Sequence, residues 1–266
     1  MAATSNYALI TGGTVGIGYE LANIFAQNGY HLILVARDQT ELDQRAAEFR
    51  QKHGVEVVTL AKDLFQRQAP FEVYDEVKAK GLPVEVLVNN AGQGQYGEFV
   101  DTDINRELDI VQLNIGAYIT LTKLYLQEMV ARNSGKILMV SSIGGELPGP
   151  LQAVYHATKA FVSTFTEALQ NEVKDTNITI TKLLPGPTET DFFRKADMEN
   201  AKMIKEGDLA DAAKVAQDGY DALMAGKLEI ISGFKNKAMV AASKVMPDSL
   251  VAEAMHQQAK PSDEGK

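Results

Sequence analysis

The sequence predicts an α/β protein: a doubly wound parallel sheet of about seven strands with helices on both faces, in a single domain. Three observations lead there. Short apolar runs rich in Val, Ile and Leu lack clean alternation, which suits strands covered on both faces. Longer segments of helical periodicity separate these runs, the order expected of parallel strands joined by crossovers. The 266 residues, 45% of them apolar, suffice for one large domain with its own core.

The elements follow in order. YALIT at 7–11 is the first strand, a helical pattern runs over 17–28, and HLILVA at 31–36 is the second strand. A charged helix near 39–52, VEVVTLA at 55–61 and a helix near 67–80 continue the alternation. VEVLVN at 84–89 precedes a long helical region near 103–132, which leads into KILMVSS at 136–142. A helix near 152–174 and the strand ITITKLL at 178–184 come next. After Pro185 the rhythm breaks into a polar segment of about 20 residues dotted with Met and Phe, a length that in a compact domain points to function. Helix returns near 208–225, KLEIIS at 227–232 is the last strand, and 236–258 reads as amphipathic helix interrupted at Pro247. The tail, 259–266, is expected to be disordered.

Composition narrows the chemistry. The formal charge is −9, from 26 basic and 35 acidic residues, which argues against nucleic acid or an anionic membrane surface as the main partner. There is no cysteine, so disulfides, thiolate nucleophiles and cysteine-ligated metals are excluded. His31, His53, His156 and His256 are scattered rather than spaced as ligands, and no metal site is expected. The N-terminus has no basic segment followed by an apolar run, and no stretch approaches the roughly 18 apolar residues of a membrane span. A cytoplasmic location is the resulting expectation.

The first strand runs into TGGTVGIG at 11–18, with Gly12, Gly16 and Gly18 at the mouth of a helix. A turn without side chains lets a pyrophosphate approach backbone N–H groups and the positive end of a helix. Between a first strand and a first helix the pattern marks a Rossmann-like dinucleotide site, and Thr14 and Ile17 fall within it. In such folds a residue about 20 positions on reads the adenosine ribose: an acid takes its hydroxyls, an arginine accommodates a 2′-phosphate. Arg37 stands nineteen residues past Gly18 and favours NADP(H), while the adjacent Asp38 keeps NAD(H) open. VNNAG at 88–92 places Asn90, Ala91 and Gly92 at a strand's carboxyl end, where ligands of open α/β sheets bind, and reads equally as a strand-capping turn. Asp63, after the third strand, fits an adenine contact and a helix N-cap equally.

In YHATK, Tyr155 and Lys159 are four residues apart and share a helix face, with His156 on another. A free phenol has a pKa of about 10, and bringing it toward 7 takes roughly 4 kcal/mol at 1.36 kcal/mol per unit. A nearby ammonium and an oxidised nicotinamide would supply that. Thirteen residues before Tyr155, the stretch VSSIGGELPGP at 140–150 ends a strand in two serines.

Taken together, TGGTVGIG, NNAG, Ser142, YHATK and LLPGPTET resemble the short-chain dehydrogenase/reductase family, in order from about residue 6 to 192. The resemblance implies a catalytic group of Asn114, Ser142, Tyr155 and Lys159. In it Tyr155 is the acid for ketone reduction and the base for alcohol oxidation, and Ser142 polarises the carbonyl oxygen. Lys159 binds the nicotinamide ribose and lowers the phenol pKa, and Asn114 holds a proton-relay water. Tyr155 and Lys159 thereby also touch the cofactor, as do Pro185, Gly186, Thr188 and Thr190 of PGPTET at its carboxamide end. Homodimers or homotetramers joined through the two long helices are implied as well. Many NADP-dependent members carry a basic residue just before the second glycine; here Val15 stands there, so Arg37 has little help.

The resemblance makes 188–208 a substrate lid, whose Phe192, Phe193, Met198, Met203 and Ile204 either close over an apolar substrate or pack the lid on the core. Leu147, Pro148 and Leu151 offer a second wall, and Gln93, Gln95, Tyr96 and Phe99 a third. No charged pair in these loops marks an anionic substrate. The expected function is NADP(H)-dependent interconversion of a carbonyl and a secondary alcohol, on a neutral or apolar ketone or a 3-oxoacyl-type substrate. An NAD-dependent alcohol dehydrogenase and a non-catalytic cofactor-sensing protein are the alternatives. Residues 1–235 form the catalytic domain with its lid, and 236–258 a helical extension. That extension packs on its own domain, covers the cleft or a neighbouring subunit, or meets a membrane; Lys235 and Lys237 are too few to favour the last.

Overall fold

The computed structural model describes residues 6–262. Strands β1 (Tyr7–Thr11), β2 (His31–Ala36), β3 (Val57–Ala61), β4 (Val84–Asn89), β5 (Gly135–Val140), β6 (Ile178–Leu184) and β7 (Glu229–Ile231) form one sheet in the order 3-2-1-4-5-6-7. Every pairing is parallel. The connecting helices are α1 (Gly16–Gln27), α2 (Gln39–His53), α3 (Ala69–Ala79), α4 (Ile104–Val111), α5 (Ala117–Arg132) and α6 (Ala153–Glu172). Two short helices, α7 (Phe192–Lys195) and α8 (Lys202–Lys205), precede α9 (Ala212–Met224), α10 (Phe234–Ser243) and α11 (Asp248–Ala259).

Strand residues alternate between two cores. Leu9, Ile33, Leu87 and Ile137 meet Val73, Tyr118 and Val162 on one face. Ile10, Leu34, Val88 and Leu138 meet Leu21, Phe25, Leu42 and Val215 on the other. Both faces being covered, the strands carry apolar residues on both faces, which gives the sequence its run-like pattern. The chain reverses direction across the sheet between β1 and β4, and the crevice beyond their carboxyl ends is where such folds bind ligands.

The long helix expected over 103–132 is interrupted. After α4, residues Gln112–Gly116 form a π turn before α5 begins. A π turn uses the same helix-forming residues as its α neighbours, so the sequence of one turn does not single it out. Other differences lie at ends: β3 begins at Val57 rather than 55, β5 stops at Val140 before the two serines, and β7 spans only Glu229–Ile231. The segment expected to be a loop has its own small core of Ala196, Met198 and Ala201, with Tyr96, Phe192, Phe193, Met203 and Ile204 against it.

Helix α10 sets Val240 against Ile143 and Leu184. Helix α11 lies over the lid, where Tyr96 Oη donates to Ala259 O at 2.7 Å. Lys202 N donates to Lys260 O at 2.8 Å, and Ser262 N to Asn200 O at 2.8 Å. Of the tail expected to be disordered, Ala259–Ser262 are thus held to the lid, while 263–266 lie outside the described residues. Among the described residues no helix is long and apolar enough to cross a membrane.

Candidate active site

The sheet crevice opens into a cleft of about 1020 Å³ that runs from the glycine-rich loop to α11. Its floor is set by Thr11, whose Oγ1 accepts from Asn90 N and Ala91 N, both at 3.0 Å. Asn90 Nδ2 in turn donates to Thr11 O at 2.9 Å. VNNAG is therefore the brace between β1 and β4 and also part of the cleft wall. Gly12 has φ +66° and Gly16 φ +55°, the left-handed region that side chains disfavour. Val15 makes no side-chain cap, which leaves the first N–H groups of α1 free to meet an anion. A Cβ on Gly18 would stand 2.0 Å from Gly12 O and 2.4 Å from Asn90 Nδ2. Gly18→Ala is accordingly expected to cost roughly 1–3 kcal/mol or more by overpacking and to weaken nucleotide binding at least tenfold. Thermal unfolding and cofactor titration measure both, and a variant that binds like wild type would contradict the packing argument.

At the adenosine end Asp38 is committed: its Oδ1 accepts from Glu41 N at 3.0 Å as the N-cap of α2. Arg37 is exposed and has no ion-pair partner among the described residues, its guanidinium lying 5.2 Å from the Phe65 ring centre. Arg106 lies at the same distance from that ring and donates to Gln93 Oε1. Asp63 accepts from Phe65 N at 3.3 Å, capping a turn rather than α3, which starts six residues on at Ala69. Arg45, which the sequence did not single out, donates to Thr14 O at 3.1 Å and steadies the glycine-rich loop from α2.

Tyr155, Lys159 and Ser142 meet in the cleft wall. Ser142 lies just past β5, its Oγ accepting from Gly144 N at 3.0 Å and donating to Pro185 O at 3.4 Å, close enough to the Tyr155 hydroxyl to draw its pKa down. Its neighbour Ser141 faces away, donating to Lys159 O at 2.9 Å and fixing α6 against β5. Lys159 is buried, donates from Nζ to Val140 O at 2.9 Å and sits 5.9 Å from the Tyr155 ring centre. The π turn brings the buried Asn114 behind this group, where Nδ2 donates to Gln93 O and to Thr158 Oγ1, each at 2.9 Å.

Burial pushes the Tyr155 phenol up to about 12, and the Ser142 hydroxyl pulls against it. Burial also pushes the Lys159 ammonium down to about 7. One of the three N–H groups of the Lys159 ammonium is on Val140 O, and the neighbouring Ser142 draws the phenol pKa downward.

Thr188 donates to Gly186 O at 2.8 Å, and the Thr190 methyl abuts Gly16, joining PGPTET to the glycine-rich loop. Asn236 of α10, also not singled out, fills the space beside Gly186. Ile17, Pro185, Gln93, Phe192 and Phe193 line the cleft, and the Phe192 ring lies against Tyr155 with centres 5.0 Å apart and planes tilted by 51°. Of the candidate wall and lid residues, Leu147, Pro148, Leu151, Gln95, Tyr96, Phe99 and Ile204 do not line it. Tyr96 is turned to the lid core and α11, and Leu147 is buried under the turn after β5 with its carbonyl on His156 Nδ1 at 2.9 Å. Among the described residues no group of acids and histidines could hold a metal ion.

A glycine-rich turn at the switch point of a parallel sheet opens the cleft, with the half-buried Tyr155 and the buried Lys159 at its far end. The chain belongs to the short-chain dehydrogenase family, whose model it matches over residues 6–201. It is 38% identical over 185 residues to a very-long-chain 3-oxoacyl-CoA reductase of Bos taurus, a match covering 67% of this chain and 58% of that protein. A protein of the same description from Laccaria bicolor is 40% identical over 181 residues, covering 66% of this chain and 53% of the relative. The chain thus spans just over half the length of these curated relatives. Among solved structures, a short-chain dehydrogenase from Sphingobium yanoikuyae in complex with NADPH aligns with a TM-score of 0.82 at 28% identity, covering 97% and 99% of the two chains. The bulky-bulky ketone specific alcohol dehydrogenase from Comamonas testosteroni aligns at 0.76 and 25% identity, covering 93% and 97%.

Proposed function

We propose that the protein is an NADP(H)-dependent reductase of a 3-oxoacyl-type or similarly apolar ketone. The observation that carries the cofactor choice is the division of labour at the end of β2: Asp38 caps α2, whereas Arg37 has no carboxylate partner and faces the cleft. A guanidinium suits a 2′-phosphate, which an acid would repel. The glycine cradle and the open end of α1 fit a pyrophosphate. Bound at these residues, the cofactor would supply the hydride.

This chain's own residues do the rest. Ser142 and Tyr155 hold the ketone oxygen, and the phenol, protonated throughout the neutral range, delivers the proton as charge develops there. Phe192, Phe193 and Met203 exclude water above the reacting carbon. The relatives' description and this apolar lid together support the 3-oxoacyl class. The reading includes a cytoplasmic location and a homodimer or homotetramer, the latter supported by the exposed Val100, Ile104 and Leu108 near α4.

The experiment is calorimetric titration of NADPH and NADH into wild type and Arg37→Ala. We expect wild type to prefer NADPH, and the substitution to weaken NADPH at least tenfold while leaving NADH within twofold. Equal affinities in wild type, unchanged by the substitution, would move the protein to the NAD-dependent reading. Tight NADPH binding with no carbonyl turned over would favour the cofactor-sensing one.

A further inference from the structure

His156 has no part in the chemistry described above, yet it is buried beside the reacting group, with 9% of its surface exposed. It follows Tyr155 on α6, and its ring meets the phenol ring edge to face, with centres 5.8 Å apart and planes at 76°. Its Nδ1 lies 2.9 Å from Leu147 O. A carbonyl oxygen only accepts, so Nδ1 carries the proton and donates. The chain between Ser142 and α6 folds against this ring. A Cβ on Gly149 would stand 2.1 Å from His156 Cγ, and one on Gly144 3.2 Å from Cε1. Neither glycine has a positive φ, so what these positions require is the close approach to the imidazole.

The same turn carries Ser142. Gly144 N donates to Ser142 Oγ at 3.0 Å and Gly145 N to Ser142 O at 2.9 Å, so whatever seats Gly144 also seats the serine. At the other end, Gln152 N donates to Gly149 O at 3.0 Å and joins the segment to α6. We infer that His156 is a positioning residue for carbonyl reduction: its ring seats the turn Ile143–Glu146 and thereby sets the Ser142 hydroxyl against the Tyr155 phenol. The inference rests on the reductase reading above. Because His156 and Tyr155 are consecutive on one helix, the turn is registered to the proton donor itself. A misplacement of about 1 Å at reacting groups can cost about 10²-fold in rate.

The test compares His156→Leu, His156→Asn and Gly149→Ala with wild type by NADPH titration and steady-state ketone reduction, at a temperature where thermal melts show each protein folded. Leu removes the donor. Asn keeps an amide nitrogen on Cγ, where Nδ1 stands, and Ala at 149 forces the turn off the ring while leaving the histidine in place. We expect kcat to fall at least tenfold in His156→Leu and in Gly149→Ala, and to return to within threefold of wild type in His156→Asn. NADPH affinity should stay within twofold throughout, since the glycine-rich turn is untouched. Lower melting temperatures with kcat unchanged would make His156 a packing residue only and overturn the inference, as would an Asn variant no better than Leu. If His156→Leu does not fold, Gly149→Ala decides: a kcat within twofold of wild type overturns the role of His156. Each of these results leaves the reductase reading standing, whereas a wild type that binds NADPH and reduces no ketone overturns both.

Discussion

Tyr155→Phe is expected to lower ketone reduction by about 10³-fold, within the 10²–10⁴-fold that a positioned proton donor contributes, while cofactor affinity stays within twofold. The ring keeps its neighbours: Phe192 lies 5.0 Å and His156 5.8 Å away between centres, and Gly94 packs beneath it. Only the hydroxyl and its interaction with Ser142 are lost, so unfolding should shift by no more than about 1 kcal/mol. Steady-state rates, a binding titration and a thermal melt separate these effects. Rates close to wild type would remove Tyr155 from the proton transfer and leave Ser142 or a water in its place.

Lys159→Met separates stability from activity. Activity should fall by about 10²-fold or more, because the cation is lost from the cleft wall. Stability should rise in acid and neutral solution. The native ammonium titrates near 7 against 10.5 in the unfolded chain, so between those values the unfolded state binds more protons and stability climbs with pH. Well below pH 7 the native lysine is charged and its burial cost is present in full; toward pH 10 it fades. At 1.36 kcal/mol per unit the shift sets an upper bound of roughly 5 kcal/mol, and we expect about 2 kcal/mol after lost contacts are counted. Val140 O would keep a partner, since Tyr118 Oη also donates to it at 3.2 Å. Urea unfolding at pH 6 and pH 9 measures the difference. A Met variant less stable than wild type at pH 6 would show that the buried ammonium stabilises the fold instead of straining it, the reverse of a stability–function trade-off.

The mismatches between sequence and structure have one physical origin. Elements declared by local pattern were legible: β1, β2, β4 and β6 fall where the apolar runs lie, and α1 and α2 within a residue of their expected ends. Features that depend on a distant partner were not. The π turn at Asn114 inserts a residue without changing composition, and its role appears only when Gln93 and Thr158 close around the amide. Tyr96 and Leu147 looked like substrate walls by proximity in sequence, but α11 and His156 claim them. Arg45 and Asn236 gave no signal because a brace is defined by what it touches.

Local chemistry in the sequence by itself determined the sheet class, the glycine cradle after β1, the family and the Tyr155–Lys159–Ser142 group. Glycine needs, helix spacing and strand runs are encoded within a few residues. The tertiary structure alone decided three further matters. Asp38 is occupied as a helix cap, so Arg37 is the group left to face the cleft. Lys159 Nζ is held in place by Val140 O. The C-terminal helix packs on the segment around Tyr96 and Lys202 through Ala259 and Lys260. Each is a competition for one polar partner among groups far apart in the chain, and only folding settles which of them obtains it.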